Sequence, residues 1–393
     1  MTRVLSGRDR AGQLAIGDDC TSTLQELVRY CSEEQHLGAL LLTGEWGCGK
    51  THLIEKELSE ALKSTHFIVR VSLLGVGSLQ SLDDTVRKKW LFVCTPFLAK
   101  VDQRKDQIKK SSGLFSAVNS ALSSINPLAG NVVSAVVSCD PMDYIPLEPE
   151  VEDLHNPGEK KSVVLVFDDL ERNKLDLVEI MGFINGYCEN KGFKTIIIAN
   201  EKVILAKTLS NSSENGFAAY KMIKEKTVAR TVLYMPDFQG IIHSIITGSK
   251  WPSQGYTLFL TKNEELIRDV FGSTPSFQED RLGKHHNFRS LNCALREFYP
   301  VYELLTKKRL SDRNRYLYSF ITYMLISRNG IYKDGRTSYD VNEEDILMLY
   351  PNYSVEAIPK TIQQWIEYGI WEEDRILQDI SLANKGTRAE DIP

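Results

Sequence analysis

Eight residues, Gly44 to Thr51, read GEWGCGKT and have the G-x-x-x-x-G-K-[ST] spacing of a loop that cradles phosphate. Gly44, Gly47 and Gly49 let backbone N–H groups turn inward toward phosphate oxygens, and Cys48 between them belongs to the same binding set. Lys50 is long enough to reach β- and γ-phosphates, and the Thr51 hydroxyl can hold Mg²⁺. Far downstream, the apolar run Val163–Phe167 ends in Asp168-Asp169, with Glu171 and Arg172 in the same turn. Asp168 suits the water shell of the metal, Asp169 can accept a proton from attacking water, and Glu171 is a further acid of this set. Thr195–Ala199 is another apolar run, closed by Asn200. An amide there can orient water or sense a γ-phosphate, and a helix cap before Glu201–Lys207 is the competing reading. The chemistry these residues suit is hydrolysis of ATP with Mg²⁺.

The elements that must position them can be read in order. Leu37–Leu42 is apolar and His52–Leu62 is helix-like, so the octet falls between a strand and a helix N-terminus whose dipole favours anions. Before it, a polar lead-in runs into a helix carrying Leu24, Leu27, Val28 and Cys31 at helical spacing. After it, residues 67–74 form a second buried strand and 74–78 a turn, and Ser81 or Asp83 caps a helix to about Leu91. Residues 163–169 make a central parallel strand with carboxylates at its C-terminal edge, where open α/β sheets bind ligands. The basic stretch Lys221–Arg230 reads as helix, and Val232–Pro236 as the final core strand. Arg230 or Lys226 can face a phosphate or merely solvent.

Residues 94–160 interrupt this core. Val101–Lys110 is charged, 112–138 is rich in small residues, and 140–160 is acidic and proline-rich. The middle stretch is too polar, and too interrupted by Pro127, for a membrane hairpin, and suits a pair of helices packed on the core or a partner. From about Asp237 the pattern is helical, clearest at 260–270, 287–299 and 315–326. Arg289 falls in the first turn of the second, where a cation opposes the helix dipole, so a phosphate or carboxylate partner is expected. Trp365, Tyr368 and Trp371 are core or interface aromatics, and a polar tail follows from Leu382. The expected divisions are 1–93 and 161–236 for the core, 94–160 for the insertion, 237–330 for a helical lid and 331–393 for a C-terminal helical region.

Composition narrows the function. The 393 residues carry a formal net charge of -5, so no global field draws nucleic acid, and only local clusters at 104–110, 221–230 and 307–315 are basic. Seven cysteines without a C-x-x-C pair exclude the usual zinc and disulfide patterns and fit a reducing cytoplasm. No apolar run has the length of a membrane span and the first residues lack a signal-peptide core.

The order of GEWGCGKT, a large insertion, VVLVFDDLER, IIIANEKVI and NFRSLNCALREF resembles the KAP family of P-loop NTPases, within the STAND/AAA+-like branch. Trp46 precedes Gly47 as in the family's W-G-x-G-K-[ST] form, VSLLG at 71–75 is of its kind, and Glu171 stands where Asp is commoner. The resemblance covers about residues 12–330. It implies an α/β fold: a parallel-sheet core of the additional-strand, catalytic-glutamate/aspartate class, with an inserted helical region and a C-terminal helical domain. It also implies phosphate and Mg²⁺ binding by Lys50 and Thr51, metal coordination by Asp168, Asp169 as base, Asn200 as sensor and Arg289 as a second sensor. Many members insert membrane helices where residues 112–138 lie, so a soluble version is implied here. Bacterial members are often linked to antiphage defence. With no nuclease, protease or TIR-like signature, a separate effector is implied.

The leading expectation is therefore a regulatory ATPase whose nucleotide state controls homo-oligomerisation or recruitment of an effector in antiviral defence. A DNA- or RNA-dependent ATPase, acting as motor or loader, is the first alternative. A nucleotide-stabilised structural partner with negligible turnover is the second.

Overall fold

The computed structural model describes residues 19–34, 38–94, 147–153, 158–210, 214–272, 282–310, 312–333 and 336–386. The charged stretch at 101–110, the small-residue stretch at 112–138 and most of the acidic stretch that follows lie outside the described residues. The chain divides into two compact units: residues 1–44 with 50–235, and residues 45–49 with 236–393.

Among the described residues of the first unit, six strands form one sheet: β1 (Ala39–Thr43), β2 (His66–Ser72), β3 (Glu150–Glu152), β4 (Lys160–Asp168), β5 (Lys194–Ala199) and β6 (Val228–Leu233). The main path runs β2-β4-β5-β1-β6 with every pairing parallel, and β3 adds an antiparallel pairing to β4. Leu40, Leu41 and Leu42 of β1 and Ile196, Ile197 and Ile198 of β5 are buried. Such continuous apolar runs suit strands covered on both faces. β5 separates the strand entering the glycine-rich loop from the strand ending in the acids, which is the extra-strand arrangement of the expected core. Registers place Ser72 opposite Asp168, and Thr43 opposite both Ala199 and Leu233. All five strands of the main path therefore end at one edge.

Helices flank the sheet: α1 (Asp19–Ser32), α2 (residues 50–61, with a π-helical stretch at Leu53–Leu58), α3 (Leu79–Cys94), α4 (Leu177–Asn185), α5 (Glu201–Ser210) and α6 (Glu214–Thr227). Two expectations need correction. The start of α3 is fixed by Ser78, whose hydroxyl accepts the Ser81 N–H, while Asp83 accepts from Tyr187 Oη and Arg87 Nε. β6 begins at Val228 rather than Val232, because Val228, Thr231 and Val232 favour the pleated edge over helix. Arg230 consequently lies on a strand, paired with Glu26 of α1 at 2.8 Å and with Glu33, just past the end of α1, at 3.2 Å.

The second unit is helical: α7 (Phe238–Gly248), α8 (Gln254–Lys262), α9 (Glu264–Phe271), α10 (Phe288–Lys307), α11 (Arg313–Asn329), α12 (Glu343–Leu349), α13 (Lys360–Tyr368) and α14 (Glu373–Gly386). A two-stranded hairpin, β7 (Ile331–Lys333) with β8 (Arg336–Ser338), follows α11. The single helix expected over 260–270 is two, broken at Asn263, whose side chain turns back to the Phe259 carbonyl. α10 continues past Tyr299 through Pro300 to Lys307, because Phe298, Val301, Tyr302 and Leu305 keep one buried face. That packing outweighs the backbone bond Pro300 cannot donate. Trp365 and Trp371 pack edge to face at 4.7 Å, whereas Tyr368 is 71% exposed and no part of the core. α14 carries helix beyond Leu382 to Gly386, where a polar tail was expected.

Phe298 joins α10 to α11 through its contact with Phe320, the ring centroids 5.3 Å apart. Phe298→Ala is expected to destabilise this unit by about 3–5 kcal/mol, read as a lower urea midpoint for helical circular dichroism.

Candidate nucleotide site

At the carboxyl edge of the sheet, the turn after β1 passes directly into α2. Gly44 donates to the Ala199 carbonyl at 3.3 Å, and Lys50 Nζ donates to the Gly44 carbonyl at 2.7 Å. Thr51 Oγ1 donates to Asp168 Oδ2 at 2.9 Å across 117 positions of sequence. Glycine-rich loop and acidic strand thus meet at Thr51 and Asp168. Asp168 is 3% exposed. Burial is the main cause pushing its carboxyl above the ordinary range; Asp169 adds to it, while Thr51 and Arg70 oppose it.

Asp169 is left-handed, with φ 63° and ψ 34°. For a residue with a Cβ that costs roughly 1–2 kcal/mol, and strain of this kind clusters at working sites. Ser72 Oγ donates to Asp169 Oδ2 at 3.0 Å, and Arg172 Nε lies 3.5 Å from Oδ1, so the carboxylate is held at the edge of the sheet. Glu171 is buried and its Oε2 accepts the Asn200 backbone N–H at 3.1 Å, which makes it a brace for the end of β5. Asn200 is also buried and begins α5 through its carbonyl, which accepts from Val203 and Ile204. Its side-chain amide makes no hydrogen bond to another described residue, and so remains open to a second task.

The middle of the glycine-rich loop belongs to the other unit. Gly47 and Gly49 take φ 72° and 105°. The Gly47 carbonyl accepts the Phe288 N–H at 3.0 Å, at the first residue of α10. Glu45 Oε2 accepts the His286 N–H at 3.4 Å and lies 3.6 Å from His286 Nδ1. Burial works to raise the Glu45 carboxyl, but His286 outweighs it and holds the group below its ordinary range. Asn287 caps α10: its Oδ1 accepts from the N–H groups of Arg289 and Ser290, and its Nδ2 donates to Asn329 at 3.0 Å. Arg289 follows immediately, with an exposed side chain that makes no hydrogen bond or ion pair among the described residues.

Three participants were missed in the sequence. Arg70 bonds Asp168 at 2.8 Å, and its one signal was a cation inside the apolar run FIVRV. Ser72 and His286 had no signal of their own, since each matters only through a partner distant in sequence.

The donors that converge at Thr51 and Asp168 are hard oxygens, one hydroxyl and one carboxylate. That set fits Mg²⁺, which keeps several waters and shares its remaining positions with phosphate. Among the described residues no group of three or more His, Cys, Asp or Glu side chains forms a metal cage. No helix among them is long and apolar enough to cross a membrane.

Among solved structures, the chain is similar to Cdc6p from Pyrobaculum aerophilum, at 13% identity and TM-score 0.38, covering 93% of this chain and 94% of that one. It is similar to domain III of the replication initiation protein DnaA from Thermotoga maritima, at 13% identity and TM-score 0.32, covering 86% and 93%. A chain of the Drosophila ORC bound to DNA gives 11% identity and TM-score 0.34, covering 95% of this chain and 51% of that one. Comparison with curated proteins finds no match. The model of the KAP family P-loop domain matches residues 20–270. This chain is a member of the KAP family of P-loop NTPases.

Proposed function

We propose that the protein is a Mg²⁺-dependent ATPase whose nucleotide state is passed to its C-terminal helical unit. The observation that carries the reading is the bond from Phe288 N–H to the Gly47 carbonyl, flanked by the Glu45–His286 pair. Nucleotide cannot reshape that loop without acting on the first turn of α10. Lys50 would leave the Gly44 carbonyl for the β- and γ-phosphates. Thr51 and Asp168 would hold Mg²⁺, which when bound neutralises phosphate charge. Asp169 would take the proton of the attacking water, the Asn200 amide would orient that water, and Glu171 would keep Asn200 in place. Arg289, one residue beyond Phe288, would answer to the γ-phosphate. Its departure on hydrolysis would release α10.

The proposed output is assembly or recruitment of a separate effector, in the cytoplasm and in the antiviral setting that the resemblance implies. A second reading has its own observation. α10 has 20 residues, a length of about 30 Å, and runs from the loop contact to an exposed basic corner of Lys307, Lys308 and Arg309. Arg313 and Arg315 of α11 follow within a few residues. Such a corner suits a nucleic-acid backbone, and would make the protein a DNA- or RNA-dependent ATPase.

Light scattering of wild type, Lys50→Ala and Asp169→Asn with ATP, ADP or no nucleotide, with phosphate release in the same samples, separates these. A larger particle trapped by ATP in Asp169→Asn, absent in Lys50→Ala, is the expected result. Constant size together with turnover accelerated by DNA or RNA, in a salt-sensitive manner, would replace it with the second reading.

A further inference from the structure

Both carboxylate oxygens of Asp168 already accept hydrogen bonds. Its Oδ2 accepts from Thr51 Oγ1 at 2.9 Å and from Arg70 Nη1 at 2.8 Å, while Oδ1 accepts the Asp169 N–H at 2.8 Å. Arg70 sits on β2 opposite Val166, two residues before Asp168 on the neighbouring strand. Its neighbours Val69 and Val71 are buried in the core, and the alternation of the strand turns Arg70 the other way. There its Nε lies 2.8 Å from Glu55 Oε1 on α2. The Asp168 side chain is 5% exposed and that of Glu55 49%, so one end of the bridge is buried and the other open to water.

A cation of the chain's own therefore occupies the carboxylate that the nucleotide site needs for its metal. We propose that Arg70 is a tethered counter-cation at Asp168 that competes with Mg²⁺ and withdraws onto Glu55 when Mg²⁺–nucleotide enters. The inference rests on the nucleotide-site reading above. A guanidinium and a divalent ion repel each other across a single carboxylate, whereas Arg has donors enough to keep its Nε on Glu55 while Nη1 leaves Asp168. The Thr51 hydroxyl keeps a lone pair for the metal while it donates to Asp168, so Thr51 need not move. Arg70 thus sets the Mg²⁺ level at which nucleotide is accepted, and Glu55, on the helix that follows Lys50, provides its resting place. This makes Arg70 a positioning residue for the metal site.

The test reads binding of a fluorescent, non-hydrolysable ATP analogue as Mg²⁺ is titrated, and again in EDTA. Arg70→Gln is expected to lower the half-saturating Mg²⁺ by about three- to tenfold, the scale of one partly screened charge, and to leave affinity in EDTA within twofold. Glu55→Gln, at a half-exposed position that does not threaten folding, is expected to raise the half-saturating Mg²⁺ by about threefold. An unchanged Mg²⁺ requirement in Glu55→Gln, or an unchanged or higher one in Arg70→Gln, overturns the proposal. Weaker binding of Arg70→Gln in EDTA would make Arg70 a phosphate ligand instead. If wild type binds no analogue at any Mg²⁺, the nucleotide reading itself is lost. Binding by wild type with unmoved variants removes only the inference about Arg70.

Discussion

Asp169→Asn is expected to bind ATP within about twofold of wild type yet release phosphate at least about a hundredfold more slowly, the lower range for loss of a general base. The variant should fold. Asn tolerates the left-handed conformation that Asp169 adopts, and its side-chain oxygen can still accept the Ser72 hydroxyl. What it loses is the ability to take a proton. Lys50→Ala should fail earlier, at binding, because it removes the cation aimed at the phosphates while leaving the Gly44 carbonyl with one donor fewer. A fluorescent-nucleotide titration beside a phosphate-release assay separates the two phenotypes. If Asp169→Asn turns over like wild type, the base must be sought elsewhere. Glu171 would then be a poor substitute, because its carboxylate is already committed to the Asn200 N–H.

Much of this site was legible because its parts are local. The runs Leu40–Leu42, Val163–Phe167 and Thr195–Ala199 are apolar without alternation, and each became a buried parallel strand. A residue ending such a strand, as Thr43, Asp168 and Ala199 do, must arrive at the ligand-binding edge. What stayed hidden depends on pairings across the chain. Asp169 takes a positive φ that nothing in its type requires, and Arg70 becomes part of the site only because β2 lies beside β4. Helix ends depart from their local signals for a related reason. Pro300 reads locally as a stop, but α10 gains more from one continuous buried face than it loses at that residue. At 260–270 the departure is opposite: even apolar periodicity concealed the break at Asn263. The β7–β8 hairpin did have a local signal, the Asp334-Gly335 pair between Lys333 and Arg336.

The attachment of residues 45–49 to the helical unit was the least legible feature and makes the most demanding prediction. Gly47→Ala is expected to weaken nucleotide binding by at least about tenfold, for two separable reasons. One is conformational: φ 72° suits glycine and costs a Cβ-bearing residue about 1 kcal/mol or more. The other is steric, because a Cβ on Gly47 would land on the Asn287 side-chain oxygen, well inside contact distance. Asn287 cannot yield cheaply, since that oxygen caps Arg289 and Ser290 while its amide is bonded to Asn329. Asn287→Ala alone should cost about 1 kcal/mol of stability through the lost cap and leave binding largely intact. The double variant Gly47→Ala/Asn287→Ala should then recover part of the affinity, leaving the conformational share of the loss. A coupling of about 1–2 kcal/mol in the double-mutant cycle, read by nucleotide titration, is the expected signature. Additive losses would instead assign the whole defect to the backbone, and the loop would answer to nucleotide without drawing the α10 cap with it.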